Sequence, residues 1–122
     1  MDTRSKIVAP EALSALNLPA PVVATGYFDV LGPEHVAELE ALAGVAPLVV
    51  IVLPLEGEFL TQPARAELVA ALRAVDYVIA AEDPDPCQII GLLQPSRVAR
   101  LEAADLRRRC ELIADVCRRH HA

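Results

Sequence analysis

The residues with chemistry to offer lie close together near the start of the chain. Thr25-Gly26-Tyr27-Phe28-Asp29-Val30-Leu31-Gly32-Pro33-Glu34-His35 follows the apolar run Pro21-Val22-Val23-Ala24 and leads into a helical pattern ending near Ala43. A buried strand that runs into a glycine-bearing turn and then a helix start presents backbone N–H groups, and the positive end of a helix dipole, to an anion. His35 falls in the first turn of that helix, within reach of a phosphate held there. Further along, Arg65 projects onto the apolar stripe of a second helix. The chemistry these residue types suit is the holding of a phosphate and the stabilisation of charge that builds on it.

Each residue also has a plainer role open to it. His35 lies inside the arc of Val36, Leu39, Leu42 and Ala43, so it reads equally as a half-buried helix histidine. Asp29 suits the bonding of turn amides, Glu34 is a favourable first-turn charge, and Tyr27 and Phe28 suit packing. Arg65, centred on the stripe of Leu68, Val69 and Leu72, needs either a buried anion partner or a short path out past the helix end.

The elements that would position these groups alternate in type. Pro10 to Leu16 reads as a short helix with proline near its first turn, and Val22 to Thr25 as the first strand. A helix follows from Pro33 to Ala43. Leu48 to Leu53 is the clearest strand, continuously apolar and β-branched, as a parallel strand covered on both faces should be. Thr61 caps a helix running to about Ala74, Asp76 to Ala81 is the third strand, and Asp85 can cap a helix from Pro86 to about Leu93. Arg97 to Leu101, alternating basic and apolar, reads as an edge strand. Asp105 then caps a last helix from Leu106 to about residue 120. Its apolar stripe is Leu106, Cys110, Ile113, Ala114 and Cys117, widened by Leu112 and Val116, and its Arg107, Arg108 and Arg109 read as a solvated face. Strands alternating with helices predict an α/β domain with a parallel sheet, whose ligands bind at the carboxyl ends of the strands.

Composition narrows the functions open to such a domain. A chain of 122 residues suits a single domain, residues 1–122, with a real core. Its longest apolar run, Val45 to Leu55, is broken by Pro47 and Pro54 and is too short to span a bilayer, and residues 1–20 lack the apolar core of a signal peptide. A cytoplasmic protein with no membrane partner is expected. The net charge of −6 opposes nucleic-acid binding, which needs a basic face to release counterions. The three cysteines lack metal-ligand spacing, and Cys110 and Cys117 share one helix face, where packing is the expected role.

Lys6-Ile7-Val8, the helix bearing Glu11, Leu13 and Leu16, and Thr25-Gly26-Tyr27-Phe28-Asp29-Val30-Leu31 followed by His35-Val36 and Leu39-Glu40 together resemble the cytidylyltransferase-like nucleotidyltransferase superfamily. A second block, from Arg65 to Val78, is similar to that family too, and Ser96 to Asp105 lies where it carries a strand leading to a glycine-aspartate turn. The likeness covers about residues 6–105 and is strongest towards the nucleotidyltransferase domain of the bifunctional ADP-heptose synthases. It implies a three-layer, Rossmann-like α/β fold with a four-stranded, mainly parallel sheet, a homodimer, and transfer of a nucleotidyl group from a nucleoside triphosphate to a sugar or alcohol phosphate.

The resemblance also assigns residues. Thr25, Gly26, Tyr27, Phe28, Asp29 and Arg65 would bind nucleotide or phosphate, and His35 would be the catalytic group. The four positions of the family's HxGH signature read Gly32-Pro33-Glu34-His35, so only the second histidine is present and the signature glycine is an acid. The family's lysine after its second strand has no equivalent, since Lys6 is the only lysine. The later serine/threonine-rich motif has no counterpart in these 122 residues, and the glycine-aspartate turn reads Ala103-Ala104-Asp105. The expectation is a nucleotidyltransferase-fold protein that is catalytically degenerate, retains at most a weak nucleotide or phosphate pocket, and acts as a binding or regulatory protein. The rivals are an active enzyme moving a nucleotidyl group from CTP or ATP to a sugar phosphate, and a structural dimer with no ligand. No cofactor or bound metal is called for; Mg²⁺ enters only with a nucleoside triphosphate, if the protein turns over.

Overall fold

Short apolar, β-branched segments separated by capped helical stretches are most readily buried as neighbouring parallel strands covered on both faces. The computed structural model, which describes residues 2–121, has that arrangement. After 3-10 turns at Thr3–Lys6 and Pro10–Ala12, the elements are α1 (Leu13–Leu16), β1 (Val22–Gly26), α2 (Pro33–Leu42), β2 (Leu48–Val52), α3 (Gln62–Ala70), β3 (Tyr77–Ala80), α4 (Cys87–Leu93), β4 (Arg97–Arg100) and α5 (Glu102–His121). The four strands are all parallel and lie in the order β3-β2-β1-β4. The fold is therefore the expected Rossmann-like α/β architecture. No helix among the described residues is long and apolar enough to cross a membrane.

Successive side chains of a strand point to opposite faces, and β2 shows what that does here. Leu48, Val50 and Val52 pack with Leu39 of α2 and with Ala66, Val69 and Ala70 of α3. Val49, Ile51 and Leu53 pack on the other face with Leu13 of α1 and Leu93 of α4. The chain winds from β1 out to β3 and then returns, by way of α4, to set β4 on the far side of β1. Strand order thus reverses between β1 and β4, which creates the crevice at the carboxyl ends of those strands where such sheets take ligands.

Local chemistry fixes several element ends as the sequence predicts. Thr61 Oγ1 accepts the Ala64 N–H (3.3 Å) at the start of α3, and Asp85 accepts the Cys87 N–H (3.0 Å) at the start of α4. β4 is an edge strand, paired only with β1, and its arginines stay in solvent.

Two helices turn differently from expectation. α3 presents Arg65, Ala66, Val69 and Ala70 to the sheet, while Leu68, expected in the core, is exposed. α5 begins at Glu102, so Asp105 lies inside its first turn instead of capping it. Its apolar stripe is not part of the core: Leu106, Leu112, Ile113 and Val116 are 38% to 45% exposed, and Cys110 and Cys117 are exposed as well. The inward face carries Asp105, Arg108 and Arg109, with Arg107 alone of the three arginines in solvent. Charge-assisted bonds to the turn after β1 anchor the first turn of this helix.

The placement of the α5 stripe has a direct test. Ile51→Ala should cost about 3 kcal/mol of stability, as a buried large-to-small change does. Ile113→Ser should stay within about 0.5 kcal/mol, as an exposed position does. Urea denaturation measures both, and equal costs would return the stripe to the core.

Candidate functional site

Gly26 ends β1, and the next two residues turn their amides the same way. The Tyr27 N–H (2.8 Å) and the Phe28 N–H (3.3 Å) both donate to Oδ2 of Asp105. Phe28 adopts a left-handed φ of 55°, the kind of local bend that lets successive amides form an anion-binding concavity. Glycine is required before it, because a Cβ at position 26 would lie 2.5 Å from the same carboxylate oxygen. The Phe28 ring, fully buried, packs against the imidazole of His35 with centroids 5.6 Å apart.

His35 completes the grip on that carboxylate. Its Nε2 lies 2.6 Å from Asp105 Oδ1, with both side chains at most 4% exposed. Its Nδ1 accepts the N–H of Gly32 at 3.0 Å, one half of a capping box, the half that a glycine at the N-cap leaves possible. An Nδ1 that accepts carries no proton, so Nε2 is the protonated nitrogen and donates to Asp105. Both ring nitrogens are therefore engaged. The half-buried histidine reading is the one the structure shows, with a carboxylate partner 70 residues away.

Three other expected site residues are turned to structural partners. Asp29 is buried and accepts from the Phe59 N–H (2.6 Å) and the Leu60 N–H (3.0 Å), which ties the turn after β1 to the loop after β2. Thr25 donates through Oγ1 to Glu102, whose other oxygen accepts from Arg100 Nε at 2.8 Å. Arg65 is fully buried. It donates from Nε to the Leu60 carbonyl (3.1 Å), from Nη1 to the carbonyls of Tyr27 (2.8 Å) and Leu53 (2.9 Å), and from Nη2 to Glu58 Oε2 (2.8 Å). Of the two roles open to it, Arg65 has an anion partner, the exposed Glu58, together with three loop carbonyls.

A cleft of about 650 Å³ opens between the 29–35 turn and the inward face of α5. Asp29, Glu34 and His35 line one side, and Asp105, Arg108, Arg109, Glu111 and Asp115 the other; Arg65 is not among its walls. Its arginines are charge-compensated. Arg108 Nη1 sits 2.5 Å from Glu38 Oε1 without the alignment of a hydrogen bond, and Arg109 donates to the Gly57 carbonyl while its guanidinium lies 4.3 Å from the centre of the Phe59 ring. Arg108 and Arg109 thus belong to the site, contrary to their reading as solvated. The available signal was their spacing of three and four residues from Asp105, which sets them on its face of a helix. Cys87 lies apart from this cluster, and the Asp85 carboxylate beside it raises its thiol above the ordinary value, which disfavours the reactive thiolate.

No family model matches the chain. Among characterised proteins it is 38% identical to the bifunctional protein HldE of Rhodopseudomonas palustris (strain BisB18) over 81 residues, which cover 58% of this chain and 16% of that protein. The corresponding figures for HldE of Nitrobacter winogradskyi are 36%, 58% and 17%. The chain thus spans about a sixth of the length of these bifunctional relatives. It is also 32% identical over 110 residues to the D-beta-D-heptose 1-phosphate adenylyltransferase of Bordetella bronchiseptica, covering 80% of this chain and 67% of that one.

The role of Arg65 can be measured directly. Arg65→Ala leaves three loop carbonyls without their donor and should cost about 3–5 kcal/mol in urea denaturation. Arg65→Lys should recover little of it, because an ammonium lacks the planar fork that reaches four acceptors. A loss below about 1 kcal/mol for the alanine variant would show that the loops hold without it.

Proposed function

The chain belongs to the nucleotidyltransferase family that includes D-beta-D-heptose 1-phosphate adenylyltransferase, and from that premise we propose that it keeps the family's fold and anion pocket without efficient turnover, as a binding or regulatory protein. One observation carries the reading. The donors that would receive a phosphate, the amides of Tyr27 and Phe28 and the ring of His35, are already taken by the carboxylate of Asp105.

Nucleotidyl transfer is mostly positioning and charge stabilisation around a pentavalent phosphorus, so it depends on cations and donors aimed at that atom. Here His35 has no free nitrogen, Arg108 faces Glu38, Arg109 faces Gly57 and Asp29, and Arg65 is buried away from the cleft. Glu34, at the signature position where the resemblance expects glycine, adds negative charge to the cleft wall. Loss of one oxyanion-stabilising donor costs about a hundred- to a thousandfold in rate, and several are absent together. The residual pocket would comprise Thr25, Gly26, Tyr27, Phe28, Asp29 and His35, with Arg65 supporting the loops around it. The same reading takes residues 1–122 as one cytoplasmic domain and as a homodimer, which the exposed apolar side chains of Val30, Phe59, Leu112, Ile113 and Val116 favour.

A second reading takes its lead from the adenylyltransferase relative: a nucleotidyl transfer from CTP or ATP to a sugar phosphate, with Mg²⁺ arriving on the triphosphate. Thermal shift separates the two from a ligand-free structural protein. With a millimolar dissociation constant, 10 mM CTP or ATP with Mg²⁺ contributes about 1.4 kcal/mol and should raise the melting temperature by about 4 °C or more. No shift sinks both ligand readings. Pyrophosphate release with sugar phosphates, abolished by His35→Ala, would replace the degenerate reading with the enzyme.

A further inference from the structure

We infer that two copies of this chain meet through α5, each seating that helix in the apolar groove that the other forms between its own α5 and the turns after β1 and β2. The inference rests on the homodimer proposed above and adds the surface through which it forms.

Val30, Phe59, Leu112, Ile113, Val116 and Cys117 line a groove of about 380 Å³. They come from three separate stretches of the chain, and the five large side chains among them are 38% to 52% exposed. Polar contacts fix the walls in place. Asp29, next to Val30, accepts the Phe59 N–H at 2.6 Å, and the guanidinium of Arg109 lies 4.3 Å from the centre of the Phe59 ring. An apolar surface held open in this way costs little further ordering when something docks on it. None of these side chains belongs to either core cluster, so the single chain is packed without them.

The size of the patch suits a second protein surface. Its five large side chains leave on the order of 350 Å² of apolar area in water. One partner of a standard-sized interface contributes roughly 450 Å² of apolar area, so the patch supplies most of what a stable dimer buries. A helix beside a groove is also both ridge and slot, which is what an isologous contact needs from one surface.

Charge selects a second copy as the occupant. α5 carries five arginines against four acidic residues, whereas the remainder of the chain carries six basic residues against thirteen acidic ones. The helix is therefore the one element drawn to the acidic body of another copy. Past the end of the stripe, Arg118 and Arg119 share the single carboxylate of Asp115, which leaves positive charge over. On the body side of the groove, the exposed Glu34 and Glu56 enter no ion pair among the described residues. A twofold axis across the patch sets each surplus towards its opposite. Val30 and Leu112 line the cleft as well as the groove, so the second copy also borders the cleft.

Sedimentation velocity at tens of micromolar should show a wild-type dimer. Val116→Asp should weaken its association at least about tenfold while keeping the circular dichroism spectrum. Cys117 offers a second readout without a mutation, since it lines the groove whereas Cys87, on α4, is exposed away from it. Labelling of Cys117 by a maleimide should speed at least about tenfold when the wild type is diluted from dimer to monomer, and that of Cys87 should not change. A dimer that Val116→Asp leaves intact, or a Cys117 rate that dilution leaves unchanged, overturns this interface and leaves the homodimer reading standing. A wild type that sediments as a monomer overturns both and gives the groove to a different partner.

Discussion

A carboxylate buried at the end of a parallel strand has to be met by donors, and much of this molecule's carboxyl edge is arranged to meet Asp105. The requirement explains the glycine at position 26, where any side chain would collide with the carboxylate, and the left-handed Phe28 that follows it. It explains the inward turn of His35, which spends one nitrogen on Asp105 and the other on the start of its own helix. It also anchors the first turn of α5. Removing that charge from water is costly, and only three well-placed donors offset the loss.

The same logic recurs one layer out. Asp29 takes two amides of the loop after β2, and Arg65 takes carbonyls from that loop, from the end of β2 and from the turn after β1. These two buried charges do not touch each other; each one binds backbone. Loops at the ligand-binding edge of an α/β sheet lack ladder partners, and their amides and carbonyls must be satisfied by something. Here side chains that the family likeness assigns to a ligand serve as that something.

This division also accounts for how much could be read in the sequence. The sheet was legible because continuous runs such as Leu48 to Leu53 have no other stable place, and the Thr61 and Asp85 caps follow from local geometry. The turn from Thr25 to His35 was correctly located for the same reason. What escaped was every feature decided by a distant charge. Counting apolar residues on α5 gave a stripe, but the helix is anchored through its first turn, where Asp105 meets the Tyr27 amide, 78 residues away. Arg108 and Arg109 were misplaced with it. Arg65 was narrowed to two roles, and only the positions of three carbonyls and Glu58 distinguish them.

Position 32 shows why the signature and the pocket cannot be considered separately. The family likeness puts a histidine where Gly32 stands, and there is room for a side chain: a Cβ there would meet nothing closer than Glu34 at 3.4 Å and His35 Nδ1 at 3.8 Å. Sterics therefore do not exclude the missing group. Yet the Gly32 N–H already fixes the tautomer of His35, and that tautomer points its proton at Asp105. A histidine restored at position 32, with a glycine at 34, would face a site whose second imidazole and whose amides are still held by a carboxylate. In this molecule the partner of those donors is the carboxylate of Asp105.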